Sequence, residues 1–577
     1  MNYPLWSLPA PGLLIATVAI VHVFISHFAV GGGLFLVLAE RKARRDHDGE
    51  MLAWVERHSA FFAMLTLVLG AATGVGIWFT IGLIHPQATS SLIHVFVWAW
   101  AIEWTFFVVE IAAAMVYYYG WGRLDPKTHE RVGWIYFVAA WLSLVVINGI
   151  LTFMLTPGAW LETGSIWDGL LNPTYWPSLF ARTFTAIGLA GLYALLTASA
   201  LANRDLKEKV ARYAARWILP MTIALPLAIA WFLWAASHAG VEVLEVLGLK
   251  GASLSAIAAV LTGGSASGYP PAITAGRAVV VASLATLLLT IVVAYARPRA
   301  YGRPAALLTL AAALVAVGGG EWVREDLRKP YVIGGYMFLN GARVAAPWTR
   351  AVAAGEPAVG EDRFDLSTLR EAGVLQSALW TRLPKAPAGA ADLPRVEAEG
   401  QEVFRLACTT CHTVDGYLAI RPLVTGRSQE AIATILARLT TSDQPPDRGA
   451  APWTWRGRRM PPFPGTEAER EAVAIYLAAL GGSAPHLPAA GGVAPGGGES
   501  SPGQAYFGDN CSPCHGPGAD YPIGGRGRTA AQIDEMLGRL PAINPVMPAF
   551  EGGDDLRHSL ADYVAALPAP PKKGGAK

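Results

Sequence analysis

Eight apolar runs in the first ~330 residues constrain this chain more than any other feature. They cover roughly 11–39, 59–84, 92–119, 131–155, 179–202, 215–237, 271–296 and 304–323. A helix rises about 1.5 Å per residue, so each run is long enough to cross a hydrocarbon core of ~30 Å. Composition agrees: 53% of the 577 residues are apolar and 15% are charged, against about 25% charged in soluble domains. A weaker stretch, 252–262, is too short to span and reads as part of a loop. The first run does not read as a cleavable signal peptide. It is long, lacks a preceding basic region and carries its basic cluster behind it.

Charge predicts an orientation. Alternate loops hold Arg41, Lys42, Arg44 and Arg45; Arg123, Lys127 and Arg131; Arg204, Lys207, Lys209, Arg212 and Arg216; and Arg297, Arg299 and Arg303. The intervening loops 85–91, 156–178 and 238–276 hold only Lys250. A buried soluble core would not generate this alternation, whereas the positive-inside rule does. It places the N-terminus outside the cytoplasmic membrane of a bacterium, and an even number of spans places the chain beyond about 324 there too. A net charge of +2 suggests no nucleic-acid partner.

Beyond about 350 the composition is that of a soluble protein. The reading is all-α: a membrane helix bundle at 1–335, a connecting segment at 336–389, then two small helical modules. These lie at 390–481 and 502–569, separated by a Gly/Pro/Ala linker at 482–501 and followed by a tail at 570–577. Both modules run helix, CxxCH, a loop-rich middle, Met-Pro and a closing helix.

CxxCH is the attachment signature of c-type haem. Cys408 and Cys411, and Cys511 and Cys514, would form the thioethers, with His412 and His515 as proximal iron ligands. Met460 and Met547 are the expected sixth ligands, since a thioether favours ferrous iron and raises the potential. A single CxxC also suits zinc or dithiol redox chemistry. Two copies, each followed by Met-Pro on the outer side, favour two haem c. The modules resemble class I cytochrome c domains.

Ionisable residues inside spans are costly and mark candidate sites. They are His22, His27, His58, His94, Glu103, Glu110 and His238, with Arg182 and Arg277 at helix starts. Glu103 and Glu110, seven apart, share a helix face about 10 Å apart along it, suited to iron ligation or proton transfer. His22 lies about 16 Å into the first span. His27 and His58 also read as hydrogen-bonded packing residues, and His94 and His238 as interfacial ones.

Several segments resemble subunit I of the cytochrome bd quinol oxidases: HVFISHFAVGGGLFLVLAE (22–40), LVLGAATGVGIWF (67–79), AIEWTFFVVE (101–110), GWGRLD (120–125), ING (147–149), LNP (171–173), FART (180–183) and LRKPYVIGG (327–335). The resemblance implies that His22 and Glu103 serve an oxygen-reducing haem and that Glu110 lies on a proton path. It implies haem of b or d type in the membrane and a second membrane subunit. The departures are specific. The low-spin haem b ligand positions read Arg182 and Val279. The glutamate of the second high-spin haem falls within Gly318–Gly320, with Glu321 out of register. The quinol loop shrinks to roughly 35 residues, and two haem c modules replace the last span. His94, His238 and the deeper His27 are candidate replacement ligands.

Three functions follow as expectations. One is a bd-like oxidase subunit that takes electrons through its haems c, from a soluble or membrane cytochrome c or another extracytoplasmic redox protein, rather than from quinol. Another is a non-oxidase electron-transfer subunit, and the third is a haem-free membrane anchor for a dihaem cytochrome c. In each the lipid bilayer is a partner.

Overall fold

A computed structural model describes residues 10–249, 262, 268–344, 364–378, 380–383, 392–439, 460–487, 501–507, 511, 515, 523, 528–543, 550 and 552–567. The expected stretch 252–262, apart from Thr262, lies outside these residues, as do Cys514, Met547 and the tail. Contacts divide the chain into two compact units, one essentially 13–336 and the other essentially the chain beyond it.

The first unit contains eight helices long and apolar enough to cross a membrane. They are α1 (Pro11–Arg45), α2 (Gly49–Ile84), α3 (Val97–Gly120), α4 (Pro126–Phe153), α5 (Tyr175–Ala198), α6 (Arg204–His238), α7 (Pro270–Ala296) and α8 (Arg303–Arg328). Their starts follow capping chemistry. Asp48 accepts from the Met51 N–H ahead of α2. Asp125 accepts from Lys127 and Thr128 ahead of α4, where Pro126 takes the first position.

Two helices extend beyond their apolar runs. α2 begins about ten residues early, and α6 opens with the amphipathic segment Arg204–Ile218, burying Leu206, Val210, Ala211 and Ala214. The apolar run marks the lipid crossing, while the hydrogen-bonded helix continues into the polar margin. His94 is not on the third span. It sits on a separate helix, Pro86–Val95, which a non-helical Phe96 (φ −116°, ψ 28°) divides from α3.

Glycines set the helix spacing. A Cβ on Gly31 would lie 1.9 Å from the Ala186 carbonyl oxygen of α5. On Gly32 it would meet the Phe62 ring of α2 at 2.7 Å, and on Gly33 the Tyr136 ring of α4 at 2.4 Å. Three consecutive glycines of α1 thus seat three neighbours, and the aromatic core around Phe28, Phe35, Trp54, Phe62 and Tyr193 closes beside them. At the other end of the bundle, Asn148 and Asn172 (of the ING and LNP segments) tie down the connection from α4 to α5. Asn148 donates to the Tyr175 carbonyl at 2.9 Å and Asn172 to that of Gly149 at 3.1 Å.

In the second unit, α9 (Leu393–Ala407) packs on α10 (Glu467–Leu480), while α11 (Pro502–Tyr506) and α12 (Ala530–Leu537) pack on α13 (Asp554–Ala566).

Candidate functional site

His22 faces α2 just past a π-helical turn, Leu65–Gly70, a local widening frequent at functional sites. Gly74 admits the ring, since a Cβ there would lie 3.2 Å from His22 Cε1. The ring Nδ1 is 3.0 Å from Thr73 Oγ1, whose hydroxyl donates to the Leu69 carbonyl at 2.7 Å. Thr73 therefore accepts from Nδ1–H, which leaves the Nε2 lone pair for a metal.

Glu103 and Glu110 both turn toward α4. The Ser143 hydroxyl bonds Glu103 at 2.8 Å, and the Tyr136 hydroxyl bonds Glu110 at 3.1 Å. The same antiparallel register continues seven residues on, where His129 Nε2 meets the Tyr117 carbonyl at 2.9 Å. The α3–α4 interface is thus a polar ladder with a rung about every 10 Å. Ser143 and Tyr136 are site residues that sequence reading passed over. Their signal was a seven-residue spacing equal to that of the glutamates.

The expected haem b positions are filled differently. Arg182 donates to Glu321 at 3.1 Å, and Arg324 donates to the other oxygen of Glu321 at 2.8 Å. A guanidinium has no lone pair to offer iron. Val279 is packed against α8, where a Cβ on Gly319 would lie 2.9 Å from its side chain. These residues do not fit a low-spin haem b.

The remaining histidines differ in setting. His27 is buried and donates to its own helix at the Val23 carbonyl, 2.6 Å away. His58 stacks on Trp54 at 5.1 Å and its Nδ1 lies 2.9 Å from the Thr197 hydroxyl, while its buried Nε2 has no hydrogen-bond partner among the described residues. His94 and His238 are exposed, each bonded to the carbonyl four residues back, Ser90 at 2.7 Å and Trp234 at 2.9 Å. They lie on different helices, and neither hydrogen bond crosses to another helix.

In the second unit α9 ends at Cys408, and the chain turns so that the Cys411 and His412 amides both donate to the Cys408 carbonyl, at 3.1 and 2.9 Å. His412 Nδ1 donates to the Leu418 carbonyl at 3.1 Å, leaving Nε2 for iron. Burial holds this imidazole below its ordinary value, keeping it neutral as ligation requires. Met460 is half-buried three residues before the buried Phe463.

The two modules repeat one packing scheme. Gly400, eight residues before Cys408, lets α9 cross α10: a Cβ there would lie 1.9 Å from the Ala472 carbonyl oxygen. Gly503, eight before Cys511, lies likewise against Ser559 of α13, at 2.1 Å. Four residues on, Phe404 meets Tyr476 at 5.6 Å, and Phe507 meets Tyr563 at 5.3 Å. Cys511 packs at the edge of the second core, and the backbone carbonyl of His515 accepts from the Ile523 amide at 3.1 Å. Cys408, Cys411, His412 and the helix crossing at Gly400 fit covalent haem. The glycine and aromatic positions were legible as an internal repeat.

Residues 13–267 match the family model described as cytochrome bd terminal oxidase subunit I. Residues 498–564 match that of cytochrome c oxidase, cbb3-type, subunit III. No curated protein matches the chain. Among solved structures it is similar to the bd oxidase from Geobacillus thermodenitrificans, at 16% identity and a TM-score of 0.48, covering 56% of this chain and 88% of that one. The two family matches make the chain a haem-binding integral membrane protein of respiratory electron transfer, in which a bd-oxidase-subunit-I-like helix bundle is joined to a cytochrome c part.

Proposed function

We propose that this protein is the oxygen-reducing subunit of a bd-like oxidase that takes its electrons through two covalent haems c instead of from quinol. The alternating loop charges put both cytochrome modules on the outer, periplasmic side, where a reduced soluble cytochrome c or similar redox protein docks. Bound haem supplies one-electron transfer in the modules and oxygen chemistry in the membrane.

The chain's own residues do the rest. Cys408, Cys411, His412 and Met460 would hold one haem c, and Cys511, Cys514, His515 and Met547 the other. His22 and Glu103 would hold the membrane haem iron, which would supply the oxygen chemistry, and Glu110 would hand on protons. Four reduced carriers, four protons and one dioxygen give two waters. The observation that carries this reading is His22, whose Nδ1 is committed to Thr73 so that Nε2 is free. The ion pair Arg182–Glu321 supports loss of the quinol-side haem.

That same ion pair favours a second reading, a non-oxidase electron-transfer subunit without a ligand-binding haem. A pyridine haemochrome assay with a reduced-minus-CO spectrum separates the two. Non-covalent haem with a CO-sensitive band that disappears in His22→Ala, while the haem c bands persist, supports the oxidase. Haem c alone refutes it.

A further inference from the structure

The Tyr136 hydroxyl of α4 faces two hydrogen-bond acceptors and carries one hydrogen. It lies 3.0 Å from the Ala29 carbonyl of α1 and 3.1 Å from a Glu110 oxygen of α3. Tyr136 is buried, and its ring is wedged in place. A Cβ on Gly33 would lie 2.4 Å from the ring, and the Phe62 ring packs against it in a T-shape, with centroids 5.4 Å apart. The hydroxyl oxygen is therefore held, and its hydrogen is the part free to turn.

The hydrogen inventory assigns a proton. A carbonyl only accepts, and so does an ionised carboxylate. One hydrogen makes one full bond, so with Glu110 ionised one of the two contacts stays incomplete. With Glu110 protonated both are complete: the acid donates to the tyrosine oxygen, and the tyrosine donates to Ala29. Glu110 sits near the middle of α3, where an ion without a partner is costly. Glu103 differs. It accepts from the Ser143 hydroxyl, which has no second acceptor among the described residues. The setting of Glu103 thus accommodates a carboxylate, whereas that of Glu110 accommodates the acid.

When Glu110 gives up its proton, the tyrosine hydrogen turns from Ala29 to the new carboxylate. A charge-assisted bond is about twice as strong as a neutral one. Two neutral bonds are exchanged for one strong bond, so neither form of the glutamate is left without a partner. We propose that Tyr136 is the positioning residue of Glu110: by this turn of its hydroxyl it lets the glutamate release and regain one proton in a dry setting. Tyr136 keeps its own hydrogen throughout. The proton that leaves is that of Glu110, released toward the oxygen chemistry and restored from water. The inference rests on the oxidase reading for where that proton goes, and it adds the residue that holds it.

The test uses the full-length protein in liposomes. Infrared spectra in ordinary and heavy water should show, at neutral pH, a deuterium-sensitive carboxylic acid C=O band that Glu110→Gln removes. Tyr136→Phe, which keeps the ring, should move that band to higher frequency, because the acid loses its acceptor. With reduced soluble cytochrome c as donor, Tyr136→Phe should slow oxygen uptake roughly ten- to a hundredfold, the worth of one hydrogen bond to a charged group. Haem content should stay unchanged. A wild-type spectrum without a Glu110 acid band overturns the proposal. So does a band that Tyr136→Phe leaves in place, whatever the rate of the variant. A shifted band with uptake at the wild-type rate overturns the role in turnover. If wild-type protein consumes no oxygen, the oxidase reading fails, and the infrared bands still decide whether Tyr136 holds Glu110.

Discussion

Arg182 of α5 and Glu321 of α8 are ion-paired at 3.1 Å, across 139 positions of sequence. Glu321 is the hub, since Arg324 holds its second oxygen. Removing the carboxylate takes from Arg182 its ion-pair partner and from Arg324 the nearer of its two carboxylates, whereas removing Arg182 leaves Glu321 paired with Arg324. Glu321→Ala should therefore cost about 3–5 kcal/mol and Arg182→Ala distinctly less. Unfolding of the detergent-solubilised protein checks the order, and equal losses would show that Glu321 is not shared.

Gly31 seats α5 against α1, and no small shift relieves a side chain aimed at a backbone carbonyl. Gly31→Val should destabilise the bundle by at least the ~1–3 kcal/mol of an overpacked core. Gly49, at the start of α2, has open space around its Cβ position. Gly49→Ala should be neutral or stabilise by up to about 1 kcal/mol. Thermal unfolding of the pair checks the contrast.

The helix crossings at Gly400 and Gly503 predict that each module needs its glycine to hold haem. Gly400→Leu and Gly503→Leu should each reduce covalent haem from two per chain to one, by pyridine haemochrome. Met460→Ala should keep both haems and lower one midpoint potential; an unaltered redox titration would exclude Met460 as ligand.

Glu402 links α9 to the segment before it, accepting from the Arg382 amide at 2.8 Å and from Arg405. Burial pushes its carboxyl up, but the Arg405 hydrogen bond and the Arg382 amide outweigh this and hold it below the ordinary range. A depressed carboxylate stabilises the fold above its unfolded value, and that contribution is lost as pH falls through the folded value. Glu402→Gln should therefore lower the melting temperature of the haem c Soret signal at pH 7. The difference from wild type should shrink below about pH 4. A constant difference would rule out the ionised form as the source.

The sequence by itself determined the eight spans and the two CxxCH segments, because both are local. Span formation depends on the transfer free energy of one continuous segment, and haem attachment on five adjacent residues. Their side-chain partners were not legible. Helices that are apolar on every side, as α3 and α7 nearly are, carry no periodic signal of which face meets a neighbour. Tertiary structure decided that Glu103 meets Ser143, that Glu110 meets Tyr136, and that Glu40 meets His129. It also decided that Arg182 is paired with Glu321, and that His94 sits on its own short helix. Each outcome depends on the rotation of a helix about its axis, which the glycines at 31–33 set only once α2, α4 and α5 pack against them.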